Sequence, residues 1–516
     1  MNEGNETGRR IRSRDVMMNA VTSYGGNVID IAVFLVLLPF IINTVGTQDY
    51  GLWSLVWAIV SVLAMMDLGF SQSVVKFVAD ARGRDDDDRQ RTVVCTLFWV
   101  FVAQMAAIMV LVGLAALFFE DIFNVPADKV DTARQVLLIV GGGFAVGVPF
   151  GMFRGVLTGH QKQWAPNIYK ILATITYSAL VLVLLRVWPG LRTLAFLNLT
   201  ITIGPLLATA IHARRAIPFL SLSPRYFDRS VLGEIWSHSF YFMLINVSGL
   251  IYTRVDTFII QAALDLTAVA VYSLAMRVSD QVQNLTLHVA RILTPVVAQL
   301  HGANDEERLL KVWLKGTKIA VALAAPLVVG CMALARPLVV NWTNNDFLGS
   351  APVLQILLAA VFVNVVHSNS HILLSMRGRQ RFLAFVLLAA QAVNAGLSIL
   401  LVGRWGILGV AAATLAANLP FQVLLVQLRL KKLYDLSLAA FYGRTVLPSL
   451  LPLAVMLAVF WGWERVHAVS SLVEVGVVEA VGVLIFWAVF WKTGLDGDER
   501  EQIAAQFRGL MHRDRK

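Results

Sequence analysis

The chain has 516 residues, 57% of them hydrophobic and only 15% charged, with a mean hydropathy of +0.69. Soluble globular domains carry about a quarter of their residues as charges, so a water-soluble fold is excluded. The formal charge of +10 is scattered through short segments rather than gathered on one domain, so no nucleic acid is expected as a partner.

A transmembrane helix needs roughly 20 mostly apolar residues to cross a hydrocarbon layer about 30 Å thick. Apolar runs of that length predict spans at 17–43, 51–78, 92–118, 133–157, 166–187, 193–212, 236–262, 267–298, 313–335, 350–375, 382–403, 406–428, 445–463 and 469–491. The first follows the basic stretch Arg9 to Arg14 and runs on without a small-residue cleavage site. It therefore reads as a retained helix rather than a signal peptide.

Cytoplasmic loops of membrane proteins collect Lys and Arg. Alternate loops here differ as that rule requires: one connector holds Arg82, Arg84, Arg89 and Arg91, another Arg377, Arg379 and Arg381. The opposite set holds only Lys129, Arg186, Arg192, Arg336, Arg404 and Arg465. A miscounted span would invert every later loop. The expectation is an all-α polytopic membrane protein of 14 transmembrane helices, in a bacterial cytoplasmic (inner) membrane, with both termini cytoplasmic.

The connectors carry little chemistry. Asp85 to Asp88 lack the glycine and spaced carboxylates of a calcium loop and read as a charge-balanced linker. Cys95 and Cys331 lie in apolar runs as buried thiols, with no disulfide framework. Ile503, Phe507 and Leu510 in the tail have helical spacing and suggest a short interfacial helix. No metal site, cofactor or catalytic residue is expected, since no P-loop, nucleophile elbow or zinc pattern occurs.

An offset of 219 places Gly159 on Gly378, Lys162 on Arg381 and Gly190 on Gly409. The fifth span then corresponds to the eleventh. Six helices separate them, so the halves share one orientation, as two parallel six-helix lobes around a central cavity plus two C-terminal helices. The expected division is 1–222 and 223–436 for the lobes, 437–492 for the last two helices and 493–516 for a cytoplasmic tail.

A charge at the bilayer centre costs about 2.5 to 3.5 kcal/mol on insertion scales, so charges within spans need a partner or a hydrated cavity. Lys76, Arg134, Arg254, Arg277 and Arg291 are such charges. In the eighth span Arg277, Asp280, Gln281, Asn284, His288 and Arg291 recur at steps of three and four, stacking on one helical face. That stripe fits a cavity receiving an anionic ligand, because guanidinium offers a permanent charge and a fork of donors to phosphate. The structural alternative pairs Arg277 with Asp280 and lets Arg291 reach the cytoplasmic surface.

In the seventh span Asn246, Gly249, Thr253 and Asp256 share a face, with Arg254 to one side. Ser23, Asn27 and Asp30 share a face of the first span, and Asp67 precedes Gly69 and Ser71 in the second. Asp30, Asp67, Asp256 and Asp280 are candidates for balancing an arginine or coupling to a proton or sodium ion. His367 and His371, with Asn364 and Ser368, stand in the tenth span at a spacing that a metal could use, but no carboxylate joins them; interhelical hydrogen bonding is the default. Glu474 and Glu479 in the last span receive no role.

The run from Leu38 to Asp80, with Tyr50, Gly51 and Leu52 in a short outer loop and Asp67, Leu68 and Gly69 in the second helix, resembles the amino-terminal pattern of Wzx-type oligosaccharide flippases of the polysaccharide transport family. Asp256, Tyr272 and Arg277 are similar to that family's seventh and eighth helices. The resemblance implies membership of the multidrug/oligosaccharidyl-lipid/polysaccharide exporter superfamily and an ion-linked alternating-access transporter rather than an enzyme. Its implied substrate is a lipid-linked oligosaccharide of the undecaprenyl-diphosphate type, moved from the inner to the outer leaflet. Membrane lipids, a glycan polymerase and glycosyltransferases are the implied partners.

On this reading Arg254, Arg277, Arg291, Asn284 and His288 line the substrate cavity. One alternative is a multidrug or cation extruder of the same superfamily, which an acidic cavity would favour. The other is a membrane glycosyltransferase, which a large outer loop with catalytic carboxylates would favour.

Overall fold

A computed structural model describes residues 13–67, 70–123, 125–233, 249, 254–302, 305–497 and 499–501. It divides into two compact units, Met1–Ala270 and Val271–Lys516. Among the described residues, eleven helices are long and apolar enough to cross a membrane, and there is no strand.

The first unit contains α1 (Ser13–Val45), α2 (Thr47–Leu63), α3 (Phe70–Gly83), α4 (Asp87–Leu117), α5 (Ala127–Gly159), α6 (Trp164–Val187) and α7 (Leu191–Ala216). α5 is central: it packs on α3, α4 and α7, while α6 packs on α1 and α7. Phe70, Val74, Val78, Phe101 and Phe153 form much of the core where α3, α4 and α5 meet.

The unit boundary falls within α8 (Leu266–Gly302), the 37-residue helix that carries the polar stripe. The second unit continues with α9 (Glu306–Ala333), α10 (Ala335–Trp342), α11 (Ser350–Met376), α12 (Gln380–Leu419), a π-helical stretch (Pro420–Val426), α13 (Gln427–Tyr434), α14 (Leu438–Thr445), α15 (Leu447–Val466) and α16 (Leu472–Thr493). The eleventh and twelfth predicted spans appear as one run, Arg381–Tyr434, interrupted at Gly406, where φ is 57°. α8 is not among the eleven apolar helices, and most of the seventh predicted span lies outside the described residues, as does the tail helix predicted around Phe507. Trp313, Leu373, Phe441, Phe486 and Phe490 stand in this unit's core.

Large apolar side chains remain on the outside of both units: Leu117, Val183, Leu400 and Leu484 are 60% or more exposed. In water such faces would associate, whereas in a bilayer they meet acyl chains.

The internal repeat is visible in the hydrogen bonds. Asp86 caps α4 by accepting from the Arg89 N–H at 2.7 Å, and Asp305 caps α9 by accepting from the Arg308 N–H at 3.1 Å. These pairs keep the offset of 219. The turn after α5 then has N–H bonds from His160 to Val156, Gln161 to Thr158 and Lys162 to Leu157, and the turn after α11 repeats them from Arg377 to Leu373, Gly378 to Ser375 and Arg379 to Leu374. Gln161 and Gly378 both have positive φ, at 61° and 69°. The second half is thus two residues shorter by this point: Gly378 corresponds to Gln161, and the alignment of Gly159 on Gly378 is corrected.

The second correction concerns the second span. Instead of one helix over 51–78, α2 ends at Leu63, a 3₁₀ turn occupies Ala64–Asp67, and α3 begins at Phe70.

Candidate functional site

A break inside an apolar stretch frees backbone groups that hydrocarbon cannot satisfy, so it persists only beside protein or a wet cavity. Gln104 of α4 supplies one partner, its Nε2 donating to the Met66 carbonyl at 2.8 Å. Asp67 supplies the other: its Oδ1 accepts from the Ser71 backbone N–H at 3.1 Å and from the Ser71 hydroxyl at 2.8 Å, fastening the start of α3.

The break opens onto a cavity of about 350 Å³ within the first unit, lined by Asp67, Ser71, Gln104, Gly147, Gly151 and Thr202 among others. Gly147 and Gly151 belong to a glycine ladder on α5, at 143, 147, 151, 155 and 159. These small residues let neighbours approach closely. A Cβ on Gly155 would come within 2.9 Å of Val74 and one on Gly159 within 2.8 Å of Val78, so α3 lies tight on one end of the ladder. Toward the other end, a Cβ on Gly143 would meet Leu199 at 2.4 Å. Between the two, Gly151 faces open space.

The cavity thus gathers a carboxylate, two hydroxyls and an amide. Gln104 Oε1 is buried and accepts no hydrogen bond among the described residues. Such a group favours a ligand with donors or positive charge. Neither Gln104 nor the glycine ladder was singled out from the sequence, although the spacing of four was there to be seen.

The other expected residues stand on other elements, in both units. Asp30 pairs with Lys170 of α6, at 2.6 Å, not with an arginine. It continues a polar seam between α1 and α6, in which Asn167 donates to Ser23 at 3.0 Å and Asn19 accepts from the Trp164 N–H at 2.6 Å. Asp256 is fully buried and Arg254 half-buried, in the helical stretch 254–263 of the first unit. Arg277 and Asp280 are half-buried on α8 in the second unit, and Asn284 on the same helix is exposed. His288 and Arg291 belong to α8, but their side chains lie outside the described residues, as do Asn246 and Thr253.

The histidines of α11 bond across to neighbouring elements, and His367 also bonds within its own helix. His367 bonds the Val363 carbonyl at 2.7 Å and the Tyr442 hydroxyl at 2.9 Å, and His371 Nε2 donates to Gln422 Oε1 at 2.6 Å. No cluster able to hold a metal occurs among the described residues.

The family described as "Polysaccharide biosynthesis protein" matches residues 16–301, more than half of the chain. The chain belongs to this family. A second family model, MatE, matches residues 242–400. Among curated proteins, the probable flippase AglR of Haloferax volcanii is 23% identical over 312 residues, 60% of this chain and 60% of its own length. The chain therefore spans less than two thirds of that relative. The putative O-antigen transporter of Shigella flexneri is 19% identical, over 77% of this chain and 93% of its own.

Two solved structures share the fold at a TM-score of 0.68. One is an inward-facing multidrug resistance transporter of the MATE family, with 15% identity over 82% of this chain and 99% of its own. The other is the lipid II flippase MurJ, with 17% identity over 92% of this chain and 99% of its own.

Proposed function

We propose that the protein is a flippase that carries a polyprenyl-diphosphate-linked oligosaccharide from the cytoplasmic to the outer leaflet of the cytoplasmic membrane, for cell-surface polysaccharide synthesis, by ion-coupled alternating access. The family match over residues 16–301, in a chain with eleven helices among the described residues long and apolar enough to cross a membrane, carries the reading. The names of the curated relatives, a flippase and a transporter, support it, and no catalytic residue is assigned. Both termini lie in the cytoplasm on this account, since the basic connectors fall on the side of the chain ends.

Arg254, Arg277 and Arg291 receive the diphosphate and any sugar acids, and Asn284 and His288 contact sugars. Guanidinium suits this task because it stays charged at any physiological pH and binds phosphate oxygens in pairs. Asp67 takes the coupling ion, with Gln104 Oε1 and the hydroxyls of Ser71 and Thr202 as neighbouring oxygens; the 350 Å³ cavity gives that ion somewhere to enter. A second reading, a multidrug or cation extruder of the same superfamily, is favoured by the acidic cavity at Asp67, which suits a cation, and is disfavoured by the arginines assigned to the seventh and eighth spans.

The test is export in a cell whose own flippase is deleted. The wild-type chain should restore surface glycan and prevent accumulation of the lipid-linked precursor, whereas Arg277→Ala should insert at normal abundance and restore neither. Full export by Arg254→Ala and Arg277→Ala variants alike would make these arginines structural.

A further inference from the structure

The second unit holds a crevice that transport leaves unused. It has a volume of about 650 Å³ and lies where the first turns of α9 meet α14, the start of α15 and the segment after α16. Lys311, Lys315 and Lys318 line it from α9 at steps of four and three, so they share one helical face. Arg444 stands on the wall from the last turn of α14.

The charges are not all alike. Lys318 Nζ donates to Glu499 Oε2 at 2.7 Å, with side chains only 8% and 11% exposed, and the Asp496 N–H donates to the same oxygen at 2.9 Å. This buried pair fixes the segment after α16 against α9 and forms a built floor. Lys311 is engaged by Glu307 at 2.5 Å. Lys315 and Arg444 are exposed and have no ion pair among the described residues, while Asp496 is the remaining acid on the wall.

The other wall is apolar: Leu447, Pro448 and Leu451. Leu447 and Leu451 are 60% and 55% exposed, on a helix apolar enough to cross a membrane. They stand at its first turns, so the crevice opens at headgroup depth and the leucines face acyl chains. Two cations beside an apolar track match the two ends of one molecule. A soluble anion would use the cations and leave the leucine track unexplained.

We infer that this crevice binds the headgroup phosphate of an anionic phospholipid, with Lys315 and Arg444 on the phosphate and an acyl chain along Leu447 and Leu451. Each cation near a membrane surface favours an anionic lipid by about fivefold, and two together exceed tenfold. None of the residues assigned to transport lines the crevice, and the inference does not depend on the substrate assigned to them.

Native mass spectrometry of the purified full-length protein, titrated with phosphatidylglycerol or phosphatidylcholine, measures this directly. The wild-type chain should retain phosphatidylglycerol at least roughly tenfold more strongly, and Lys315→Ala with Arg444→Ala should bring the two lipids to near parity. Both side chains are exposed, so the double variant should elute as the wild type does. Retention of the preference in the double variant, or its absence in the wild type, overturns the assignment. Displacement of the lipid by millimolar inorganic phosphate overturns it too, in favour of a free anion.

Discussion

Gly51 stands where no side chain fits. A Cβ there would lie 2.0 Å from the Leu266 carbonyl oxygen, a backbone atom that cannot rotate away. Gly51→Ala should therefore cost about 1–3 kcal/mol, read as a lower unfolding midpoint in detergent. Wild-type stability in that variant would show that the two helices are free to separate. The glycine of the Tyr-Gly-Leu motif was legible as a motif, but its reason was not, because Leu266 is distant in sequence. Asp30 was similarly visible as a charge needing a partner. Its partner Lys170 was not singled out, because pairing across α1 and α6 is a tertiary fact. Asp67 has two tasks, fastening α3 and facing the cavity, and substitutions separate them. Asp67→Asn keeps an acceptor for the Ser71 N–H and should leave abundance unchanged while removing ion dependence of transport, measured as uptake with and without an imposed gradient.

At the scale of elements, the break between α2 and α3 and the glycine ladder of α5 together make the cavity. Hydropathy reports how apolar a stretch is and not where its backbone leaves the α-helix, so a continuous reading over 51–78 passed over the break. Gly151 faces open space, so Gly151→Leu should fold and insert normally yet fill the cavity and reduce transport severely. Undiminished transport by that variant would remove the cavity from the mechanism. The helix caps were missed in the sequence, where Asp85 to Asp88 read as a linker, although Asp86 and Asp305 stand just before acidic first turns, a common helix start. Asp305→Ala should cost about 1 kcal/mol, seen in the same unfolding measurement.

The segment after α16 is held by Glu499. Burial raises its carboxyl, but the bond from Lys318, the Asp496 N–H and the nearby charges of Lys318 and Lys315 outweigh burial and leave it below the usual value of 4.5. A depressed folded value gives stability that is present above pH 4.5 and is lost as pH falls through the folded value. The difference in unfolding midpoint between wild type and Glu499→Gln should accordingly narrow on acidification below 4.5.

For the whole molecule, membrane residence and helical class followed from composition and apolar spacing, because the bilayer imposes both on any spanning chain. The repeat was also legible, though pairing Gly159 with Gly378 and Lys162 with Arg381 set its register two residues off at the turn before the fifth and eleventh spans; the hydrogen-bonded turns correct it. Helical periodicity places the expected arginine stripe on one face of α8, but the side chains of His288 and Arg291 lie outside the described residues. What they bind rests on chemistry in transport. The most direct measurement is reconstitution of the purified chain in sealed vesicles that contain a fluorescent polyprenyl-diphosphate oligosaccharide, followed by protection of the glycan from an external glycosidase. Wild-type protein should bring the inner-leaflet glycolipid to the enzyme under an ion gradient, and Arg277→Ala should not. Equal protection in vesicles with and without the wild-type protein would contradict the account.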